Sequence, residues 1–175
     1  MLNQGDRVGN WQVERVLGEG GMGAVYVARH VVLDEPAALK VLKPIAMENA
    51  RERFVRELKV LRSLEHPAIV RMLEGGYDEA RGLLYMAMEL LAGQTLAERM
   101  AEGPIPEAEV VPLFQRIAEG LQAAHARGIF HRDLKPENLF LTPSGPKILD
   151  FGIAIQEGAT RYTSADLVPG TPMYM

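Results

Sequence analysis

The sequence predicts an α+β chain in two parts: a five-stranded antiparallel sheet with one helix, followed by a mainly helical part. Three observations predict it. Short apolar runs of period two, broken by glycine and proline, occupy about the first 90 residues. One stretch of helical period interrupts them. Beyond Ala92–Gly93 the strand pattern gives way to helical segments. The boundary is therefore placed there, with one part over residues 1–92 and a second over 93–175.

The elements follow in order. "WQVERVLG" (11–18) alternates apolar and polar residues and then meets glycines. "AVYVARH" (24–30) is rich in β-branched and aromatic residues, and "AALKVL" (37–42) is a third short apolar run after Pro36. "ENARERFVRELKVLRSLEH" (48–66) reads as a helix, because Phe54, Leu58 and Leu61 recur at i, i+4 and i+7 and Pro67 stops it. "AIVRMLEG" (68–75) and "LLYMAMELL" (83–91) supply two more strands around the turn opened by Gly75–Gly76. "TLAERMAE" (95–102) is a short helix and 106–128 a long one, with Pro106 near its start, Gly128 just past its end, and Pro112 able to displace that start. Two short apolar runs, "LFL" and "KIL", flank the turn "TPSGP", and residues 154–175 read as a loop.

Composition narrows the function. Of 175 residues 47% are apolar, enough to bury a core, and the net charge of −4 argues against a general nucleic-acid binder. The absence of cysteine excludes disulfides, thiol nucleophiles and thiolate metal sites. The N-terminus lacks the apolar core of a signal peptide, and the longest apolar run, Leu83 to Met88, is too short for a bilayer. The expectation is a soluble, cytoplasmic chain with no membrane contact of its own. An anchor past residue 175 lies beyond what these residues address.

Four constellations carry chemistry. Gly18, Gly20 and Gly23 are spaced G-x-G-x-x-G, with Val25 two residues on. Glycines let backbone N–H groups approach phosphate oxygens unobstructed, although for a lone match a flexible hairpin turn is the favoured reading. A strand follows them, not a helix, which argues against a dinucleotide crossover and for a flap over a nucleotide. Lys40 lies inside a short apolar strand, so it either pairs or reaches for solvent. Glu57 borders the apolar face of the 48–66 helix and answers it, with Glu52 as the rival partner.

The third is "HRDLKPENLF" (131–140). Asp133 can accept or orient a hydroxyl proton, Lys135 can neutralise charge on a transferring group, and Asn138 offers an amide oxygen, a hard ligand suited to Mg²⁺. The fourth is Asp150 in "DFG", a carboxylate at a strand end. Two oxygens converging from two loops leave coordination positions for water and phosphate, the usual arrangement at phosphoryl-transfer sites. Each element alone reads as a polar turn, but together they occur in one order at sensible spacings.

"GEGGMGAV", "AALK", "HRDLKPEN" and "DFG" together resemble the catalytic domain of Ser/Thr protein kinases, and "LGEGGMGAVYVA" with "DFGIA" resembles its bacterial, eukaryotic-like members. The resemblance spans residues 18–152. It implies a two-lobed protein-kinase-like fold with an ATP-binding N-lobe and an incomplete C-lobe. It further implies that Leu17, Gly18, Gly20 and Gly23 form the flap, that Val25 and Ala38 cover the adenine from above and Phe140 from below, and that Lys40 binds the α/β-phosphates and pairs with Glu57. Glu89 to Leu91 would be the hinge whose backbone meets the adenine edge, after Met88 as gatekeeper. Asp133 would be the catalytic base, and Asn138 and Asp150 the ligands of Mg²⁺, with Mn²⁺ as the alternative.

The same resemblance makes Leu61, Met72, His131 and Phe151 an apolar spine, with His131 structural. Lys135 and Arg132 together point to a protein Ser/Thr hydroxyl rather than a tyrosine or a small molecule. Arg132, expected to be buried, would await a phosphate on Thr160, Thr163 or Ser164, while Thr171 would line the substrate site. Signalling with autophosphorylation, and self-association to achieve it, are the implied context. The chain ends before the family's "APE" motif, so a fragment is expected whose 106–128 helix exposes an apolar patch. The competing function is a nucleotide-binding or scaffolding fragment without turnover.

Overall fold

The computed structural model describes residues 1–21, 23–43 and 50–151. Contacts divide the chain into two units, one of residues 1–62 and 71–91, the other of residues 63–70 and 92–175. Leu91 and Ala92 fall on either side of the division, and the stretch 63–70 leaves the first unit and returns.

The first unit is a six-stranded antiparallel sheet in the order β1-β2-β3-β4-β6-β5. Its strands are β1 (Arg7–Val8), β2 (Trp11–Gly20), β3 (Gly23–His30), β4 (Pro36–Leu42), β5 (Met72–Asp78) and β6 (Leu83–Glu89). All five expected strands are there, and the two-residue β1 is an addition too short for periodicity to reveal. The strand expected at 68–75 begins four residues later. Ile69 instead makes a parallel bridge with Ile148 in the second unit, and Val70 N–H donates to Ile148 O at 3.0 Å.

Register decides which side chains share a face. Tyr26, Leu39 and Ala87 are cross-strand partners, as are Ala24, Val41 and Tyr85. This face forms the core with Val8, Trp11 and Val13, and Leu2 packs on it from the N-terminal segment. Leu2 N–H donates to the Tyr26 hydroxyl at 3.1 Å, and Arg81 bonds Asp6 at 2.9 Å, which ties that segment down. Glu74 receives Trp11 Nε1–H at 3.2 Å and the Tyr85 hydroxyl at 2.8 Å, so the polar tips of two core aromatics are satisfied. Burial and the Glu74 carboxylate push the Tyr85 phenol well above its ordinary value.

The helix α1 (Ala50–Arg62) packs on β5. Phe54 and Leu58 are buried, as their spacing requires. The helix ends four residues before the expected 66, and His66 instead accepts Ala68 N–H through Nδ1 at 3.1 Å. Residues 48–49 lie outside the described residues. Gly75 permits the helix to approach: a Cβ there would lie 2.8 Å from Leu58 Cδ1.

The second unit holds α2 (Leu96–Ala101), α3 (Glu107–His125) and a three-stranded sheet of β7 (Gln94–Thr95), β8 (Leu139–Thr142) and β9 (Gly145–Ile148). Thr95 and Glu98 form a capping box at the start of α2. Pro112 does not displace the start of α3, which begins at Glu107. Near the N-terminus Pro costs the helix little beyond the bond to the Ala108 carbonyl, and that stretch is exposed. Ile117, Gly120 and Ala124 are the buried positions of α3, with Gly120 admitting Ala68 and Ile148. Val111 and Phe114 on α3, and Phe130 beyond its end, are 50–54% exposed, so α3 carries exposed apolar side chains beside its buried ones.

Candidate active site

The first unit places its candidate residues on the sheet face opposite the aromatic core. Val25 is the register partner of Lys40, and Lys40 of Met86. Val27 partners Ala38, and Ala38 partners Met88. Since cross-strand partners share a face, Val25, Ala38, Lys40 and Met88 stand together on one side of three strands. Gly75 partners Met86 on that same side, where α1 packs. Sequence alone leaves open whether Lys40 points to solvent; it is half-buried. Glu57 is half-buried as well, with one carboxylate oxygen inaccessible, whereas the rival Glu52 is exposed in the first turn of α1.

Leu17 is the extra residue of a β-bulge, because Val16 pairs with Tyr26 while Gly18 pairs with Val25. The bulge turns the strand just before the glycines. Those glycines are not equivalent. Gly18 and Gly20 have open space where a Cβ would be, while a Cβ on Gly23 would meet Val41 O. Glu89 ends β6, and Leu91 is the last residue of the unit before the chain leaves it.

The second unit assembles its candidates through one hydrogen-bonded circuit. His131 is only 3% exposed. Its Nε2–H donates to Leu149 O at 2.6 Å, and its Nδ1 accepts Asp133 N–H at 3.3 Å. Asn138 Nδ2–H donates to Asp133 O at 2.7 Å and approaches Asp133 Oδ2 at 3.3 Å. Asn138 O then accepts Leu149 N–H at 2.8 Å. Leu149 is therefore held on both its carbonyl and its amide by the 131–138 loop, which brings Asp150 beside it. Asp150 has φ 47, a left-handed conformation that aspartate tolerates better than most residues. Asn138 lies in a 3-10 turn, Pro136–Asn138, that opens with Pro.

Lys135 Nζ lies 2.9 Å from Asp133 Oδ2. Its hydrogen bond to Asp133 holds the Lys135 ammonium above its ordinary value, so it stays charged throughout the neutral range. Phe140 is half-buried on β8, paired with Lys147 and Thr95. The His131 and Phe151 rings meet at a tilt with centroids 5.1 Å apart, and both residues are buried. Leu61 and Met72 belong to the other unit.

Arg132 is a correction. It is exposed, not buried, and has φ 65. The left-handed kink between buried His131 and half-buried Asp133 turns the arginine outward. Thr160, Thr163, Ser164 and Thr171 lie outside the described residues.

His131 makes one electrostatic prediction. Burial, the largest influence, depresses its pKa below 6.5. Protonation would also put a second N–H against the Asp133 amide. The unfolded chain gains the proton first as pH falls, so folding stability is full above about 6.5 and declines below it. Between pH 7.5 and 5.5 the protein should lose stability that His131→Phe does not lose. Urea unfolding at the two pH values measures this, and equal losses in both proteins would remove the effect from His131.

The donor set fits a hard divalent cation. Asn138 commits its amide nitrogen to Asp133, so its amide oxygen is the atom that could meet a cation, and Asp150 could add a carboxylate from the residue next to Leu149. No cluster of three acidic, His or Cys side chains able to hold a metal occurs among the described residues. Two protein oxygens completed by phosphate and water suit Mg²⁺. No described helix is long and apolar enough to cross a membrane.

Comparison with known proteins agrees with this geometry. The family model described as protein kinase domain matches residues 11–175. The chain is 41% identical over 176 residues to serine/threonine-protein kinase pkn2 of Myxococcus xanthus, covering 95% of this chain and 21% of that protein. It is 36% identical to serine/threonine-protein kinase PrkC of Bacillus subtilis, over 95% of this chain and 26% of that protein. A crystal structure of the Mycobacterium tuberculosis PknI kinase domain superposes with a TM-score of 0.78 at 36% identity, over 89% of this chain and 65% of that one. The chain thus spans well under half of these curated relatives. With the motifs, the two-unit fold and these similarities in agreement, the chain belongs to the protein kinase domain family.

Proposed function

We propose that this chain is the ATP-binding and catalytic part of a protein Ser/Thr kinase, with residues 1–92 as the N-lobe and 93–175 as a partial C-lobe. The observation that carries the reading is the circuit through His131, Asp133, Asn138 and Leu149, with Lys135 on the Asp133 carboxylate. It supports reading Asp133 as base, Lys135 as cation and the Asn138 and Asp150 oxygens as metal ligands, because hydrogen bonds tie the loop to Leu149 beside Asp150.

The residues divide the reaction as follows. The hydroxyl oxygen of a Ser or Thr forms a bond to the γ-phosphorus while the bond to the β-phosphate oxygen breaks, and ADP leaves. Asp133 orients the hydroxyl and takes its proton on a carboxylate oxygen. Lys135 offsets negative charge on the transferring group. Lys40, with Glu57, holds the α/β-phosphates, and Gly18 and Gly20, with open space where a Cβ would be, put no side chain in the way of a phosphate. Leu17, Gly23 and Val25 shape the flap, and Ala38, Met88, Leu91 and Phe140 frame the adenine. Mg²⁺, or Mn²⁺ in its place, held by Asn138 and Asp150, would neutralise phosphate charge when bound. Signalling through autophosphorylation, with self-association, is the biological setting this chemistry suits.

The test is binding of Mg-ATP together with phosphate transfer to a generic protein substrate, run beside Asp133→Asn. Transfer that depends on Asp133 is the expected result. Binding with no transfer would favour a nucleotide-binding fragment without turnover, and no binding would reject the reading.

A further inference from the structure

We propose that the side chain of Glu89 is a positioning group for the nucleotide: its carboxylate takes over a main-chain place in the sheet, so that the backbone following Met88 is turned toward the adenine edge. The proposal rests on the reading of 89–91 as the hinge.

The observation is local to the first unit. β5 and β6 pair antiparallel, with Met72 opposite Met88. One residue further, Arg71 and Glu89 face each other. In a regular antiparallel pair of the hydrogen-bonded kind, two such residues exchange both bonds through their main chains. Here only one is of that kind, from Glu89 N–H to Arg71 O at 3.0 Å. The other runs from Arg71 N–H to the Glu89 carboxylate oxygen Oε1 at 2.8 Å. The side chain thus replaces its own backbone carbonyl as the acceptor for Arg71. The two residues also stand where the chain enters and is about to leave the unit, at 70/71 and 91/92. The clasp holds together the two ends that would otherwise fray.

Loss of the carboxylate has a definite consequence. The Arg71 amide must then recruit the Glu89 carbonyl, which draws the strand end back into the ladder and away from the orientation that an adenine needs. Glutamine keeps an acceptor oxygen at the same reach, and alanine does not.

The experiment compares wild-type protein, Glu89→Gln and Glu89→Ala for affinity toward two probes, Mg-ADP and Mg-tripolyphosphate. Hydrogen exchange at the Arg71 amide is followed in parallel. Glu89→Ala should bind Mg-ADP about threefold to tenfold more weakly, bind tripolyphosphate as wild type does, and exchange the Arg71 amide faster. Glu89→Gln should stay near wild type in all three. A merely structural glutamate would lower the melting temperature without separating the two probes. Unchanged Mg-ADP affinity in Glu89→Ala, equal losses for both probes, or a Glu89→Gln as weak as the alanine variant would each overturn the proposal. Wild-type protein that binds neither probe would overturn the nucleotide reading itself, and this inference with it.

Discussion

Replacing Asp133 by asparagine should reduce phosphate transfer by about 10²- to 10⁴-fold while nucleotide affinity stays within about a factor of two. The separation follows from which bonds the loop depends on. Asp133 holds Asn138 chiefly through its main-chain carbonyl, at 2.7 Å, and holds His131 through its main-chain amide, at 3.3 Å. Neither bond involves the carboxylate. An asparagine oxygen can still accept from Lys135 Nζ, now 2.9 Å from Asp133 Oδ2. The main-chain bonds that shape the loop therefore persist, while the change removes the carboxylate's basicity together with its charge opposite Lys135.

A neutral amide cannot take the hydroxyl proton, so the loss falls on the transfer step and not on binding. Lys135 loses its largest upward influence in this variant, but an ammonium that returns toward its ordinary value is still charged at neutral pH. Radiolabel transfer to a protein substrate, with nucleotide binding measured by calorimetry, checks both halves. Transfer within tenfold of wild type would remove Asp133 from the role of base. Equal losses of transfer and binding would mean that the loop itself has come apart.

Much of this site is legible in the sequence because its parts are local. Asp133, Lys135 and Asn138 lie within six positions, and the bonds among them close over one short turn. The strand residues are legible for a different reason: Lys40 is conspicuous as a charge in an apolar run, and alternation then assigns Ala38 to the same face. What no local pattern contains is the pairing of Arg71 with Glu89, or the bond from Leu149 back to His131, since these depend on register between segments distant in sequence. Arg132 shows the opposite failure. Its burial is expected from the family resemblance, but Arg132 takes a left-handed backbone that leaves it exposed, and backbone sign is invisible to hydrophobic pattern. The late start of β5 has a similar origin. Ile69 and Val70 are as apolar as a sheet strand, yet their partner is Ile148, so their burial is real and their assignment to the first sheet is not. The helix α2, by contrast, is readable from its first residue, because the Thr95–Glu98 cap is itself a sequence signal.

The glycines of the flap separate a folding role from a binding role, and substitution should separate them by experiment. Gly23→Ala should destabilise the protein by about 2–4 kcal/mol, whereas Gly18→Ala and Gly20→Ala should cost less than about 1 kcal/mol each. Gly23 has φ 155, and a Cβ there would fall on Val41 O with Leu42 Cα only 3.0 Å away. Both obstacles are backbone atoms of β4, which a rotamer change cannot move. Gly23 also closes the hairpin against Gly20 and pairs with Leu42. A methyl group there must push β3 from β4, and the Val25–Lys40 pair lies only two residues along. Gly18 and Gly20 meet nothing within 4 Å, so their methyl groups enter the space where a phosphate would approach, and nucleotide affinity should fall while the fold persists. Urea unfolding and ADP binding on the three variants give the two axes. A Gly23→Ala protein as stable as wild type would show that β4 yields at Val41. Gly18→Ala or Gly20→Ala variants that lose stability as Gly23→Ala does would make the whole motif a folding element, and its spacing would then say nothing about phosphate.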